Sequence, residues 1–216
     1  CVSAPPKTKK TFFISLLASV YLSGNNIYGG NIKGHKGNGH LVHFDTEQGH
    51  WHCQKVFKRV YDMDSSIKSD IYHTFGLRAI GYKTRLEFIE YYLSQKINTP
   101  SLVIIDGIAD LVSDVNSLEE SNAVVQKLME WSAKYNCHII NVIHQNYGSA
   151  KMTGHLGSFL EKKCETHIEL EANTVNKEWV TVKCKRSRGY AFETFSFLVN
   201  DVGLPTIVDN IYDPLK

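Results

Sequence analysis

Hydrophobic and polar positions along the chain follow two patterns. Short apolar runs rich in Val and Ile predict buried strands, whereas longer stretches with apolar residues three or four positions apart predict amphipathic helices. Strands are predicted at residues 41–44, 71–80, 102–105 and 138–144, and helices at residues 11–23, 50–61, 84–95, 118–135 and 158–164. The alternation of these elements predicts an α/β fold with a mostly parallel central sheet flanked by helices.

The last fifty residues change character. Residues 166–171, 179–185 and 192–199 read as strands in hairpin-like succession, which predicts antiparallel pairing at the carboxyl-terminal side of the sheet. We expect residues 1–216 to form a single domain. Residues 24–39, rich in Gly and Asn, are expected to be a flexible insertion. Cys1, Val2 and Ser3 read as the end of a buried strand, so we expect the natural protein to have residues upstream.

Composition narrows the class of protein. The chain has 216 residues, of which 43% are hydrophobic and 21% charged, which is ordinary for a globular domain. No apolar run approaches the roughly 18 residues that suggest a membrane span. Its five cysteines are odd in number and lack paired spacing, which favours reduced thiols and a cytoplasmic protein. The net charge of +2 implies that any contact with nucleic acid comes from a local patch.

The first chemical signal is the segment Ala4-Pro-Pro-Lys-Thr-Lys-Lys-Thr11, which lies between a predicted strand and a predicted helix. A phosphate-binding loop needs converging backbone N–H groups, a Lys that reaches the β- and γ-phosphates and a hydroxyl that ligates Mg²⁺. Lys10 and Thr11 fill the last two roles. The consensus has glycine where this chain has Ala4 and Lys9, so we expect a reshaped loop. Lys7 and Lys9 add positive potential that favours an anion.

Polar residues follow three other strands, and the carboxyl ends of parallel strands meet at one edge of a sheet. Asp106 ends an apolar strand and could hold Mg²⁺ through water, or could instead cap the next segment. Glu47 could orient or deprotonate the attacking water, or be a solvated turn residue. Gln145 could sense the γ-phosphate through its amide, or satisfy a backbone group.

This constellation resembles the RecA-like superfamily of P-loop ATPases. The phrase Phe44-Asp-Thr-Glu47, the strand that ends at Asp106 and the pair His144-Gln145 match the order of the family's site residues, and the chain looks closest to the RepA-type hexameric helicase branch. The resemblance implies a RecA-like fold, ATP and Mg²⁺ as ligands, and a homo-oligomer that is possibly a hexameric ring.

The resemblance also implies two further groups of site residues. A neighbouring subunit would complete the site with basic residues near the terminal hairpin, for which Arg186 and Arg188 are the candidates, Arg188 preferred. Residues 146–157 correspond to a DNA-contacting loop, in which Tyr147, Lys151 and His155 would contact single-stranded DNA.

Two functions remain open from the sequence. One is an oligomeric ATPase that acts on single-stranded DNA in replication, recombination or mobilisation of a mobile element. The other is a nucleotide-binding or inactive regulatory or assembly module, which the substitutions at Ala4 and Lys9 favour.

Overall fold

The computed structural model describes residues 1–24, 32–35, 40–95 and 99–208. Most of the predicted insertion at residues 24–39 lies outside the described residues. The strands are β1 Val2–Ala4, β2 His40–Asp45, β3 Tyr72–Gly76, β4 Pro100–Asp106, β5 His138–His144, β6 Thr166–Ala172, β7 Val180–Ser187, β8 Phe195–Val199 and β9 Pro205–Val208. The helices are α1 Lys10–Ser23, α2 His50–Met63, α3 Tyr82–Ser94, α4 Leu118–Tyr135 and α5 Gly154–Lys163, with a short 3₁₀ helix at Ile108–Leu111.

All these strands belong to one sheet, in the order β3-β2-β4-β5-β1-β6-β7-β8-β9. Neighbouring strands pair in parallel across the part of the sheet formed by β3, β2, β4, β5, β1 and β6. Neighbouring strands pair antiparallel across the part formed by β6, β7, β8 and β9. The predicted α/β fold, with a mostly parallel central sheet and antiparallel carboxyl-terminal strands, is therefore confirmed.

Helices cover both faces of the sheet because the side chains of each central strand alternate between two apolar layers. On β2, Leu41 packs in the layer that contains Phe13 of α1 and Val60 of α2. Its neighbour Val42 packs in the opposite layer, with residues of α3, α4 and α5, among them Trp131. Within the described residues, no helix is long and apolar enough to cross a membrane.

The parallel register brings the carboxyl ends of the central strands level with one another. Asp45 at the end of β2 pairs with Asp106 at the end of β4. Ala4 at the end of β1 pairs with His144 at the end of β5. The segments that follow these strands therefore leave the sheet at the same edge.

Some element boundaries differ from those predicted. Helix α4 has the predicted bounds, because the Ser117 side chain accepts a hydrogen bond from the Glu120 N–H at its start and Asn136 ends it with a φ of 48°. Helix α5 starts at Gly154 rather than at residue 158, because Gly154, with a φ of 67°, lets the chain turn into the helix against Val115. Strand β3 ends at Gly76, and strand β9 was not predicted.

Candidate functional site

The loop between β1 and α1 makes its turn without glycine. Ala4 is the last residue of β1 and needs no unusual backbone angle. Lys9 precedes α1 with φ 54° and ψ 30°, and Lys7 has a φ of 63°, so both lysines lie in the left-handed region that glycine usually occupies. A non-glycine residue there costs about 1–2 kcal/mol. The loop therefore keeps a glycine-type turn at Lys9 and carries strain in doing so.

This loop opens into a cavity of about 440 Å³ at the carboxyl edge of the sheet. Predicted site residues that line the cavity are Lys7, Lys9, Lys10, Thr11 and Glu47. Its remaining lining includes His144 and, from α1 and α2, Phe12, His52, Lys55 and Arg59. The fold thus gathers the predicted phosphate loop and the predicted water-orienting carboxylate around one cavity that is rich in cationic side chains.

Lys10 is the first residue of α1 and is only 7% exposed. Its ammonium donates to the carbonyl oxygen of Pro5 at 3.2 Å and to Nδ1 of His144 at 3.0 Å. Burial lowers the pKa of Lys10, and the negative charges of Glu47 and Asp106 partly offset that effect. A charged ammonium that lines the cavity can donate charge-assisted hydrogen bonds to the phosphates of a nucleotide.

Glu47 lies on the other side of the same histidine. One of its carboxylate oxygens is 3.3 Å from Nε2 of His144, so the imidazole joins the Lys10 ammonium to the Glu47 carboxylate. The hydrogen bond from His144 lowers the pKa of Glu47 and, against the opposing effect of burial, keeps the carboxylate ionised, as a general base requires.

Asp106 and Asp45 form a buried acidic pair at the ends of β4 and β2. The pKa of Asp106 is raised to about 8, chiefly by burial and also by the charges of Asp45 and Glu47, although Lys10 and the Thr11 hydroxyl oppose the rise. Atom Oδ2 of each aspartate is buried and has no hydrogen-bond partner among the described residues. Crowded carboxylate oxygens without donors, next to a hydroxyl, suit a hard divalent cation, so Thr11 and Asp106 fit the predicted Mg²⁺.

Gln145 is not part of this cavity. Its amide donates to the Ser3 hydroxyl at 3.2 Å and to the Glu169 carboxylate at 2.6 Å, and its side chain is buried between β1 and β6. Consecutive residues at a strand end point in opposite directions, so only one member of the pair His144-Gln145 can face the cavity. The geometry therefore does not support Gln145 as the γ-phosphate sensor. His144 lines the cavity instead.

Arg186 and Arg188 lie far from the cavity of their own chain. Strand β7 runs antiparallel to β6, and Arg186 pairs with His167 near the amino end of β6. That end lies opposite the edge where the phosphate loop leaves β1. Arg186 is exposed, 3.6 Å from a Glu161 carboxylate oxygen, and Arg188 is exposed just beyond β7. Neither arginine lines the cavity, and both lie at the end of β7 that is away from the phosphate loop.

The three predicted DNA-contacting residues lie on and beside the segment between β5 and α5. Tyr147, Lys151 and His155 are exposed. Lys151 and His155 line a second cavity, of about 660 Å³, together with Lys162 and Arg186. The structure thus places one of the predicted arginines beside the predicted DNA-contacting segment.

The fold and the loop at the carboxyl edge of its parallel sheet define the chain as a P-loop nucleoside triphosphatase. A model of a protein family described as "AAA domain" matches residues 1–150, which include β1 to β5 and the whole phosphate-loop cavity. The chain belongs to this family of P-loop ATPases. No curated protein matches the chain. The protein therefore has a nucleotide-binding domain of the ATPase type, for which Mg²⁺ is the usual companion ion.

Proposed function

We propose that this protein hydrolyses ATP with Mg²⁺ and acts on single-stranded DNA as a RecA-like motor of the RepA type, in replication, recombination or mobilisation of a mobile element. The observation that carries the proposal is the convergence of Lys10, Thr11, Asp106 and Glu47 at one edge of the sheet. A phosphoryl-transfer site needs a cation for the phosphates, a metal ligand and a water-orienting carboxylate within reach of one substrate.

Each residue has a chemical task in the proposed reaction. Thr11 and Asp106 would hold Mg²⁺, which would neutralise charge at the phosphates. Lys10 exchanges its hydrogen bonds to Pro5 and His144 for the β- and γ-phosphates. Glu47 orients the attacking water.

His144 is the proposed sensor of the γ-phosphate. It touches both Lys10 and Glu47, so a phosphate that draws Lys10 away also frees Nδ1 of the imidazole. The arrival of nucleotide is thereby transmitted to the carboxylate that orients the water and to the segment that follows β5.

The position of the arginines supports the proposed homo-oligomer. Neither Arg186 nor Arg188 lines the cavity of its own chain, so we assign them to the site of a neighbouring copy, as in a hexameric ring. Exposed Tyr147, Lys151 and His155 are the proposed DNA contacts, through stacking and charge.

A second function has its own supporting observation. Lys10 is engaged by the loop carbonyl of Pro5 and by His144, and the loop carries two strained lysines. A loop held in this way favours a module that binds nucleotide weakly and serves in regulation or assembly.

ATP turnover separates these two functions. We expect the full chain to bind Mg²⁺-ATP and to hydrolyse it, and Lys10→Ala to lose most of the binding in an equilibrium titration. Lys68→Ala is the matched control, because this exposed lysine precedes β3 at the opposite edge of the sheet. Binding of ATP that depends on Lys10, without turnover even when single-stranded DNA is present, would favour the assembly module.

DNA contact is tested separately with a fluorescent single-stranded oligonucleotide and anisotropy. We expect Tyr147→Ala and Lys151→Ala each to weaken binding by about 1–3 kcal/mol, the usual contribution of a stacked base or a good charge contact. Lys68→Ala again serves as the control. Equal affinity of all four proteins would refute the assignment of the DNA contacts.

A further inference from the structure

Thr46, which directly precedes Glu47, is only 1% exposed, yet its hydroxyl is surrounded by acceptors. Atom Oγ1 lies 2.8 Å from the carbonyl oxygen of Gly107, 3.1 Å from that of Asp106 and 3.0 Å from a carboxylate oxygen of Asp110. Its backbone N–H also donates to the Asp106 carbonyl at 3.0 Å. Thr46 therefore ties the segment after β2 to the segment after β4.

Asp110 is itself held in place from the far side. The Arg85 guanidinium donates to the Asp110 carbonyl at 2.6 Å and lies 4.0 Å from the Asp110 carboxylate. The same guanidinium donates to the Leu77 carbonyl at 3.0 Å, and the Leu77 N–H donates to the Asp45 carbonyl at 2.7 Å. Through Arg85 and Leu77, these contacts link Asp110 to the end of β2.

The backbone around Glu47 is fixed by the residue that ends β2. A carboxylate oxygen of Asp45 accepts from the N–H of Glu47 at 3.1 Å and from that of Gln48 at 2.9 Å. Gly107 gives the Glu47 side chain its room, because a Cβ atom built on Gly107 would lie 2.6 Å from Cγ of Glu47 and 2.3 Å from Oγ1 of Thr46. Asp45 thus fixes the backbone of Glu47, and Gly107 leaves the space that its side chain occupies.

We propose that Thr46, Gly107 and Asp110 are positioning residues that aim the Glu47 carboxylate at the nucleotide cavity. The inference rests on the proposed function for its effect on turnover, but the position of Glu47 can be measured without it. None of the three residues lines that cavity, so they act through Glu47.

Valine and serine at position 46 separate this role from plain packing. Thr46→Val keeps the shape of the side chain and removes the hydroxyl, whereas Thr46→Ser keeps the hydroxyl and removes a methyl group. If the hydroxyl positions Glu47, the valine variant moves the carboxylate and the serine variant does not. If Thr46 only fills space, the serine variant is the more affected of the two.

The experiment compares the unmodified chain with Thr46→Val and Thr46→Ser by crystallography without nucleotide and by steady-state ATP hydrolysis. We expect Thr46→Val to separate Glu47 from His144 and to lower kcat by about 10–100-fold with little change in KM, because a misplacement of about 1 Å costs that much. We expect Thr46→Ser to keep both the contact and the turnover, within about twofold. A valine variant with Glu47 in place and an unchanged kcat would overturn the proposal.

Two further outcomes are also decisive. If none of the proteins, the unmodified chain included, hydrolyses ATP, the proposed function fails, while the positioning role stands or falls on whether Glu47 moves in Thr46→Val and stays in Thr46→Ser. If Thr46→Val does not fold, Asp110→Ala is measured by the same two methods, since the Asp110 side chain is partly exposed and its truncation removes little buried surface. A displaced Glu47 in that variant supports the proposal, and an undisplaced one overturns it.

Discussion

Replacement of Gly107 by alanine is the perturbation whose cost the structure defines best. Gly107 has φ 105° and ψ 51°, where a side chain is strained by about 1–2 kcal/mol. The added methyl group would also collide with Thr46 and Glu47 at 2.3 and 2.6 Å. Overpacking of this kind costs about 1–3 kcal/mol. We therefore expect Gly107→Ala to lower the free energy of unfolding by about 2–5 kcal/mol, a large share of the stability of a typical domain.

Gly203→Ala provides the matched control. Gly203 also has a positive φ, of 80°, but a Cβ atom there would meet nothing within 4 Å. Both substitutions restrict the unfolded chain equally, so that contribution cancels in the comparison. The difference between the two variants therefore isolates the collision at Gly107.

Urea unfolding followed by circular dichroism measures this difference. We expect Gly203→Ala to lower the free energy of unfolding by about 1 kcal/mol through backbone strain alone, and Gly107→Ala to lower it by about 2 kcal/mol more. Equal losses in the two variants would refute the reasoning, because they would mean that Thr46 and Glu47 move aside at no cost.

Three further predictions concern the buried histidine of β2, the proposed catalytic role of Glu47 and the proposed assembly. Burial lowers the pKa of His43 from 6.5 to about 3, so the stability that its neutral form contributes is complete above pH 6.5 and lost as the pH falls towards 3. When the pH falls from about 7.5 to about 5, the free energy of unfolding measured with urea should decrease by about 2 kcal/mol more in the unmodified chain than in His43→Leu. Equal decreases in the two proteins would contradict this prediction. Glu47→Gln should keep ATP affinity in a titration while hydrolysis falls by about 10²–10⁴-fold, and unchanged hydrolysis would leave Glu47 a mere turn residue. Mixing Arg188→Ala with Lys10→Ala should restore part of the ATPase activity, because each supplies the half-site that the other lacks, and no rescue would argue against a shared site.

The fold was largely predictable because its central strands are buried on both faces. Residues 102–105 are an apolar run that Asp106 ends, and residues 138–144 are mostly apolar apart from Asn141 and the histidines at the two ends, so strand positions and the site edge follow from the same pattern. Helix α4 was predicted without error since its signals are local, a capping Ser117 and a left-handed Asn136. The start of α5 was missed because Gly154 reads as a loop residue until Val115, distant in sequence, is packed against it.

The site was predictable in its composition but not in its contacts. Lys10, Thr11, Glu47 and Asp106 could be named because each follows a strand at the edge where parallel strands end. Gln145 rather than His144 was predicted from the sequence, because both lie at the end of β5 and only the pairing of β1 with β5 and β6 decides which of them faces the cavity. The Thr46 contacts depend on the register between β2 and β4, which is a tertiary feature.

A crystal structure of the full chain with Mg²⁺ and a non-hydrolysable ATP analogue tests the central claim most directly. The account predicts that the phosphates lie in the loop between β1 and α1, with the Lys10 ammonium on the β- and γ-phosphates instead of on His144. It also predicts the metal ion between the Thr11 hydroxyl and the Asp106 carboxylate, and the Glu47 carboxylate facing the γ-phosphate. A nucleotide bound elsewhere, or a Lys10 that stays on Pro5 and His144 with analogue and Mg²⁺ in excess, would contradict it.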